Sequence, residues 1–283
     1  MKKLALITSL FSVAWAGSPQ FDEARRLYSA TEFEHSLTVL RSIPEKDATV
    51  YELMGRDYYM LSDYRKAADA FEQALNQQPS NSTYALWLAR SYGRRAETSS
   101  VLTAPGYASK ARQYFERAAQ LNPRNVEALS DLFEFYLEAP GFLGGGYDKA
   151  QRIAGQIDQV DSSEGYWAMY RMAEQRKDFS KAEEQLRRAV EAAPRQIGKL
   201  IDLARFLAKQ GRYQEADQSI DRAEQVAPNS ARLVFVRADL YVRSNRNIDQ
   251  AKSLLQKYLS LNLTPDDPPR AEAARLLRKI SGG

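Results

Sequence analysis

Few residues in this chain have the chemistry to run a reaction. The 283-residue sequence has no cysteine and a single histidine, His35. That excludes thiolate nucleophiles, iron–sulfur ligation, cysteine zinc sites and any metal centre built on paired histidines, so neither a metal nor a cofactor is expected. A serine–histidine–acid relay would have to pass through His35, which stands beside Glu34 on a helical segment and reads as a solvated side chain. The acid pairs are poor dyads. Glu183 and Glu184 are helix neighbours that face different directions, and Asp266 and Asp267 lie in the turn from Pro265 to Pro269. Gly144, Gly145 and Gly146 precede a helical segment and would offer backbone N–H groups to a phosphate. No Gly-Lys-Ser/Thr accompanies them, however, and Asp148 stands where the anion would go, as the expected cap of the helix that follows. The chain is expected not to be an enzyme.

Binding is the remaining chemistry, and which side chains can bind depends on the elements that carry them. A pattern of small and large apolar residues recurs at an interval of 34, most clearly from Ala48 to Asn81. Tyr51, Met54, Gly55 and Tyr58 share one face of a first helix, Ala67, Phe71 and Ala74 mark a second, and Pro79 ends it. Further copies carry Ala85, Leu88, Ala89 and Tyr92 with Ala111, Phe115 and Ala118, and Leu200, Leu203, Ala204 and Leu207 with Ala216, Ile220 and Ala223. Others are centred on Leu129 to Ile157, Tyr166 to Ala189 and Val234 to Tyr258.

This pattern resembles the tetratricopeptide repeat, a helix-turn-helix unit in which alanines of helix B allow close approach to helix A. With a degenerate first pair from Phe21 to Ile43 and a closing helix from Pro269 to Ile280, the resemblance covers about residues 19 to 281. It implies an all-α, right-handed superhelical solenoid of about seven antiparallel helix pairs plus a C-terminal capping helix, forming a single domain over residues 17–283.

In this family helix A lines the concave surface. The ninth residue of each unit is expected to face the groove, and it reads Arg56, Arg90, Glu134, Arg171, Arg205 and Asp239. One turn earlier stand Glu52, Leu86, Ser130, Trp167, Ile201 and Phe235. Arginine alternating with apolar groups suits a protein or peptide partner that carries acidic groups or a free carboxylate. The expected groove set is Arg56, Arg90, Trp167, Arg171, Arg205 and Phe235. Asp131, Glu134 and Glu138 stand between the arginine pairs and would equally serve as their internal ion-pair partners, leaving a structural ladder. The lysines and asparagines of the chaperone-tail clamp known in some members are not present in the first two units.

Two units depart from the period. About ten residues are inserted between Tyr92 and Ala111 and five between Tyr136 and Ala150, each between helix A and helix B. The insertions hold related sequences, Ala104-Pro105-Gly106-Tyr107 and Ala139-Pro140-Gly141-Phe142. They read as loops on one edge of the superhelix, where Tyr107, Phe142 and Tyr147 are candidate contacts. The second, continuing as Leu143-Gly144-Gly145-Gly146, resembles a loop of exported bacterial tetratricopeptide proteins.

Residues 1–16 have the three parts of a secretory signal: Lys2 and Lys3, the apolar run Leu4 to Val13, and Ala14-Trp15-Ala16 as the cleavage site. The run is too short to span a bilayer, so no integral membrane segment is expected after cleavage. The expected location is the periplasm or the exterior of a bacterial cell, and the absence of cysteine suits both. A formal charge of +4, mixed in sign along the chain, does not point to nucleic acid. Two readings follow: a non-catalytic adaptor that binds protein through the groove or the inserted loops, or a cell-wall glycan module that stacks sugars on the loop aromatics.

Overall fold

The computed structural model describes residues 18–282, so the segment read as a secretory signal lies outside it. Fifteen α-helices follow one another, with no strand among the described residues. The pairs are α1 (Pro19–Ser29) with α2 (Phe33–Ser42), α3 (Ala48–Met60) with α4 (Tyr64–Gln77), α5 (Ser82–Thr98) with α6 (Ala104–Leu121), and α7 (Val126–Glu138) with α8 (Tyr147–Val160). Three more follow, α9 (Ser162–Gln175) with α10 (Phe179–Ala192), α11 (Ile197–Lys209) with α12 (Tyr213–Val226) and α13 (Ala231–Ser244) with α14 (Ile248–Ser260), and α15 (Arg270–Ser281) closes the array. The superhelical solenoid of seven pairs and a cap is therefore as the repeat implies.

Short side chains set how closely each pair packs. Ala67, Ala74, Ala111, Ala118, Ala182, Ala189, Ala216 and Ala223 are all buried on the B helices where they cross their A partners. Across the second pair a Cβ on Gly55 would lie 2.8 Å from the Phe71 ring, so only glycine fits. Side-chain caps start eight of the fifteen helices: Ser18, Asp47, Asn81, Asn125, Asp161 and Ser230 on A helices, Asp63 and Asp178 on B helices. Successive odd-numbered helices also touch, whereas successive even-numbered ones make no comparable contact. That asymmetry bends the stack and puts the A helices on its inner face.

The buried apolar residues form three clusters along the axis, the first from Ala24 to Ala70, the second from Ala48 to Met172 and the third from Tyr170 to Leu276. The second and third meet at α9, where Trp167 packs against both.

The insertions differ from the sequence expectation. Ala104-Pro105-Gly106-Tyr107 is not a loop: it forms the first turn of α6, and the ten extra residues lengthen α5 and α6 and leave 99–103 as the connection. Pro105 is tolerated there because first-turn N–H groups have no intrahelical acceptor. The related Ala139-Pro140-Gly141-Phe142 instead enters a short 3-10 turn at Gly141–Leu143. Its continuation requires glycine: Gly144 has φ 93°, and a Cβ on Gly145 would lie 1.8 Å from the Ala139 carbonyl oxygen. Asp148 is not the cap of α8. Gly146 holds that position without a side-chain bond, and Asp148 sits in the first turn.

One ionisable core residue has no ion pair among the described residues, unlike buried Lys199 and Asp239. Asp57 of α3 is fully buried; one carboxyl oxygen accepts from Ser36 Oγ of α2 at 2.7 Å and the other has no partner. Burial pushes its pKa up to about 7, against the Ser36 hydrogen bond, and Glu34 adds to the rise. The folded chain therefore holds a proton that the unfolded chain has lost, so stability falls as pH rises between about 4 and 7 and then levels. Asp57→Asn is expected to remove that dependence, a gain on the order of 4 kcal/mol at most above pH 7. Urea unfolding of both proteins at pH 5 and pH 8 checks it.

Candidate functional site

The inner face is built from α3 to α13, and it sorts the expected groove residues into three groups. Arg56 pairs with Glu52 one turn earlier, and its guanidinium centre lies 4.7 Å from the centre of the Trp87 ring. Arg90 lies 4.9 Å from the same ring and reaches across to α7, bonding Asp131 at 2.5 Å and Glu127 at 2.8 Å. Arg171 bonds Glu134, Glu138 at 2.9 Å and, more distantly, Glu174 at 3.6 Å. Arg90 and Arg171 are thus satisfied by α7, as the ladder reading has it, and Arg56 is satisfied by Glu52 of its own helix.

Helix α7 causes this. Glu127, Asp131, Glu134 and Glu138, spaced four, three and four, form one stripe that faces Arg90 on α5 and Arg171 on α9. Four carboxylates share two arginines. Burial pushes Glu134 up to about 7, Arg171 opposes the shift and Glu138 reinforces it; Asp131 is raised mainly by burial, against Arg90. Between α5, α6, α7 and the Pro140 turn lies a cleft of about 500 Å³, with Phe115 and Phe135 among its apolar walls and this stripe along one side. This part of the groove therefore carries an excess of negative charge.

Arg205 is different. Among the described residues it forms no ion pair, and it lines a cleft of about 520 Å³ between α11 and α13 with Lys209, Tyr213, Asp239 and Arg243. Arg243 bonds both oxygens of Asp239 at 2.8 and 2.7 Å, and Lys209 meets Glu174 at 3.0 Å. The C-terminal third of the groove is thus the end that retains positive charge.

Trp167 is half-buried on the inner face. Its indole N–H donates to Asp202 at 3.0 Å, and Lys199 and Arg171 lie 5.1 and 5.6 Å from its ring. Phe235 is corrected: at 3% exposure it belongs to the third core cluster, its ring centre 5.3 Å from that of Tyr258, and it does not reach the groove. Leu86 and Ile201, at the same phase, are buried likewise. The residue missed is Trp87, which gathers Arg56 and Arg90 and packs on Phe71 and Tyr59. It lies outside the two phases read as lining, and only its i+3 spacing to Arg90 pointed to it.

The edge aromatics also divide. Tyr107 is held on the first turn of α6 by Arg95, whose guanidinium lies 4.1 Å from the ring centre and donates to its hydroxyl at 2.8 Å. Tyr147 is covered by Arg176 at 3.7 Å. Phe142 alone projects, 82% exposed. His35 is exposed and 3.0 Å from Glu32. Among the described residues no three acidic or histidine side chains are grouped to hold a metal ion.

Removing Arg171 leaves Glu134 and Glu138 facing each other. With Arg171 gone, the burial and the Glu138 carboxylate that raise Glu134 are unopposed, so its charged form is penalised at high pH while its protonated form at low pH is not. Arg171→Ala is expected to cost about 1–2 kcal/mol at pH 8 and less at pH 5, since the pair is only partly buried. Thermal unfolding at the two pH values measures the difference.

Two tetratricopeptide-repeat family models match the chain, at residues 48–81 and 201–268. No curated protein matches it. A tetratricopeptide repeat protein from Parabacteroides merdae superposes with a TM-score of 0.56 at 16% identity, covering 93% of this chain and 98% of that one. A thermophilic tetratricopeptide protein from Thermus thermophilus gives 0.54 at 18%, covering 66% and 97%. At such identities the likeness is one of fold. Matched by repeat models at 48–81 and 201–268 and built of helix pairs throughout the described residues, the chain carries tetratricopeptide repeats and folds as their solenoid.

Proposed function

We propose that the chain is an exported, non-catalytic adaptor that takes an extended segment of another protein along its concave face, with an acidic group of that segment seated at Arg205. Helical-repeat solenoids offer extended concave surfaces of this kind to protein partners. The observation that carries the acidic preference is the state of the four arginines: Arg56, Arg90 and Arg171 are occupied by carboxylates of the chain, and Arg205 is not. A guanidinium in a cleft, with no internal acceptor, favours a carboxylate from outside. Lys209 and Arg243 beside it are paired with Glu174 and Asp239, so Arg205 is the cation of this cleft without an ion pair among the described residues, and Trp167, one pair away, offers a flat partly apolar surface for a neighbouring side chain. The stripe on α7 makes the middle of the groove repel acid, which favours one direction for a bipolar segment that reaches from there to Arg205.

The glycan reading has lost most of its support, because Tyr107 and Tyr147 present rings already covered by guanidinium groups.

Panning a random peptide library on the protein is expected to enrich acidic sequences. Arg205→Glu is expected to lose that enrichment, while Arg56→Glu, which alters a paired site, largely retains it. Equal enrichment by the parent and the Arg205 variant would remove the acidic site from the groove. Export is tested separately: the protein recovered from the envelope or medium of the producing bacterium is expected to begin at Gly17, and an intact Met1 on the recovered protein would overturn it.

A further inference from the structure

Three large apolar side chains stand almost wholly in water: Val101 at 89%, Leu102 at 92% and Phe142 at 82% exposure. The other exposed apolar residues of comparable size are only 36–44% exposed. All three lie on the two inserted connections, Val101 and Leu102 between α5 and α6, Phe142 in the short turn between α7 and α8. These connections leave consecutive pairs on the same edge. The turn touches α6, Arg112 of α6 lies against Gly144, and Leu143 lines one cleft with Ala96 and Ala108.

The charge around the tips is lopsided. Arg95, Lys110 and Lys149 lie within two turns of these connections, Arg176 reaches Tyr147 from the end of α9, and none of the four has a carboxylate partner among the described residues. Each rests on a tyrosine ring instead, Arg95 on Tyr107 at 4.1 Å, Lys110 on Tyr92 at 4.8 Å, Lys149 on Tyr136 at 5.4 Å and Arg176 on Tyr147 at 3.7 Å. Of the nearby acids, Glu97 is taken by Arg94, Glu138 by Arg171 and Asp63 by Lys66, while Glu72 and Glu116 accept from the Tyr92 and Tyr136 hydroxyls.

We propose that this edge docks on an anionic phospholipid surface, with Val101, Leu102 and Phe142 entering the headgroup layer. Projecting apolar groups and cations free of carboxylate partners are the combination that the interface of an anionic bilayer rewards. A protein pocket would be expected to meet a contiguous apolar patch, whereas here the apolar groups are single tips set among cations. No helix among the described residues is long and apolar enough to cross a membrane, so the contact is peripheral. The groove, on the inner face of the A helices, remains open while the edge is docked.

The absence of cysteine allows a site-specific test. Leu102→Cys and Phe142→Cys, each labelled with an environment-sensitive nitrobenzoxadiazole dye, are compared with Arg124→Cys on the opposite edge. With vesicles of phosphatidylcholine and phosphatidylglycerol at low salt, emission at 102 and 142 is expected to rise several-fold and shift to the blue, and emission at 124 to stay level. Pure phosphatidylcholine or high salt is expected to abolish most of the rise. Because each dye reports its own position, the apolar amino-terminal run does not confound the reading. No rise at 102 and 142, or an equal rise at 124, overturns the proposal; so does a rise without vesicles on concentrating the protein, which marks self-association. The variant Val101→Ser/Leu102→Ser/Phe142→Ser is expected to keep its helicity and to abolish the vesicle-induced shift of a dye placed at Gly141→Cys. Retention of that shift would equally count against the tips.

Discussion

Everything in this molecule depends on how closely helix A and helix B of one pair can approach. Alanine at the crossing points and glycine at position 55 remove the side-chain bulk that would hold them apart, and the Phe71 ring fills the space a Cβ on Gly55 would need. Tight pairs then stack with their A helices in contact and their B helices apart, which curves the array and creates an inner face. Small residues inside the pairs thus produce a groove outside them, without any groove residue contributing to the curvature.

That geometry determines what the inner arginines can do. Adjacent A helices are near enough for a guanidinium on one to reach a carboxylate on the next, so any acid of matching phase on the neighbour takes the arginine for itself. Helix α7 carries four such acids and takes both of its neighbours' arginines. Asp239 on α13 is taken instead by Arg243 of its own helix, and Arg205 keeps its charge. The polarity of the groove, acidic toward the middle and basic toward the C-terminal third, is a result of which helix follows which.

The fold was largely legible because it is written in residues with a single structural use: the alanines of each B helix, the capping Asp, Asn and Ser, and the 34-residue phase. The site was legible only in part. Position in a unit tells which way a side chain points, and it placed Arg56, Arg90, Arg171 and Arg205 on the inner face. It does not tell how deeply that position is covered by the next pair, which is why Phe235 went into the core while Trp167, at the same phase, stayed at the surface. Ala104-Pro105-Gly106-Tyr107 was misread for another reason. Proline and glycine commonly break helices, but the first turn makes no demand on the N–H that proline lacks, and Ala108 to Ala111 continues the helix.

The division of the core at α9 gives the superhelix a mechanical character. Each cluster is continuous along several pairs, and the seam between the second and third is bridged by few residues, with Trp167 among them. Because each pair of a repeat array is stabilised by its immediate neighbours, the two sides of the seam are held together through α9, a continuous helix that packs on both. A segment laid along α7 to α13, as proposed, would touch both core clusters and so would brace the two sides of α9 against each other.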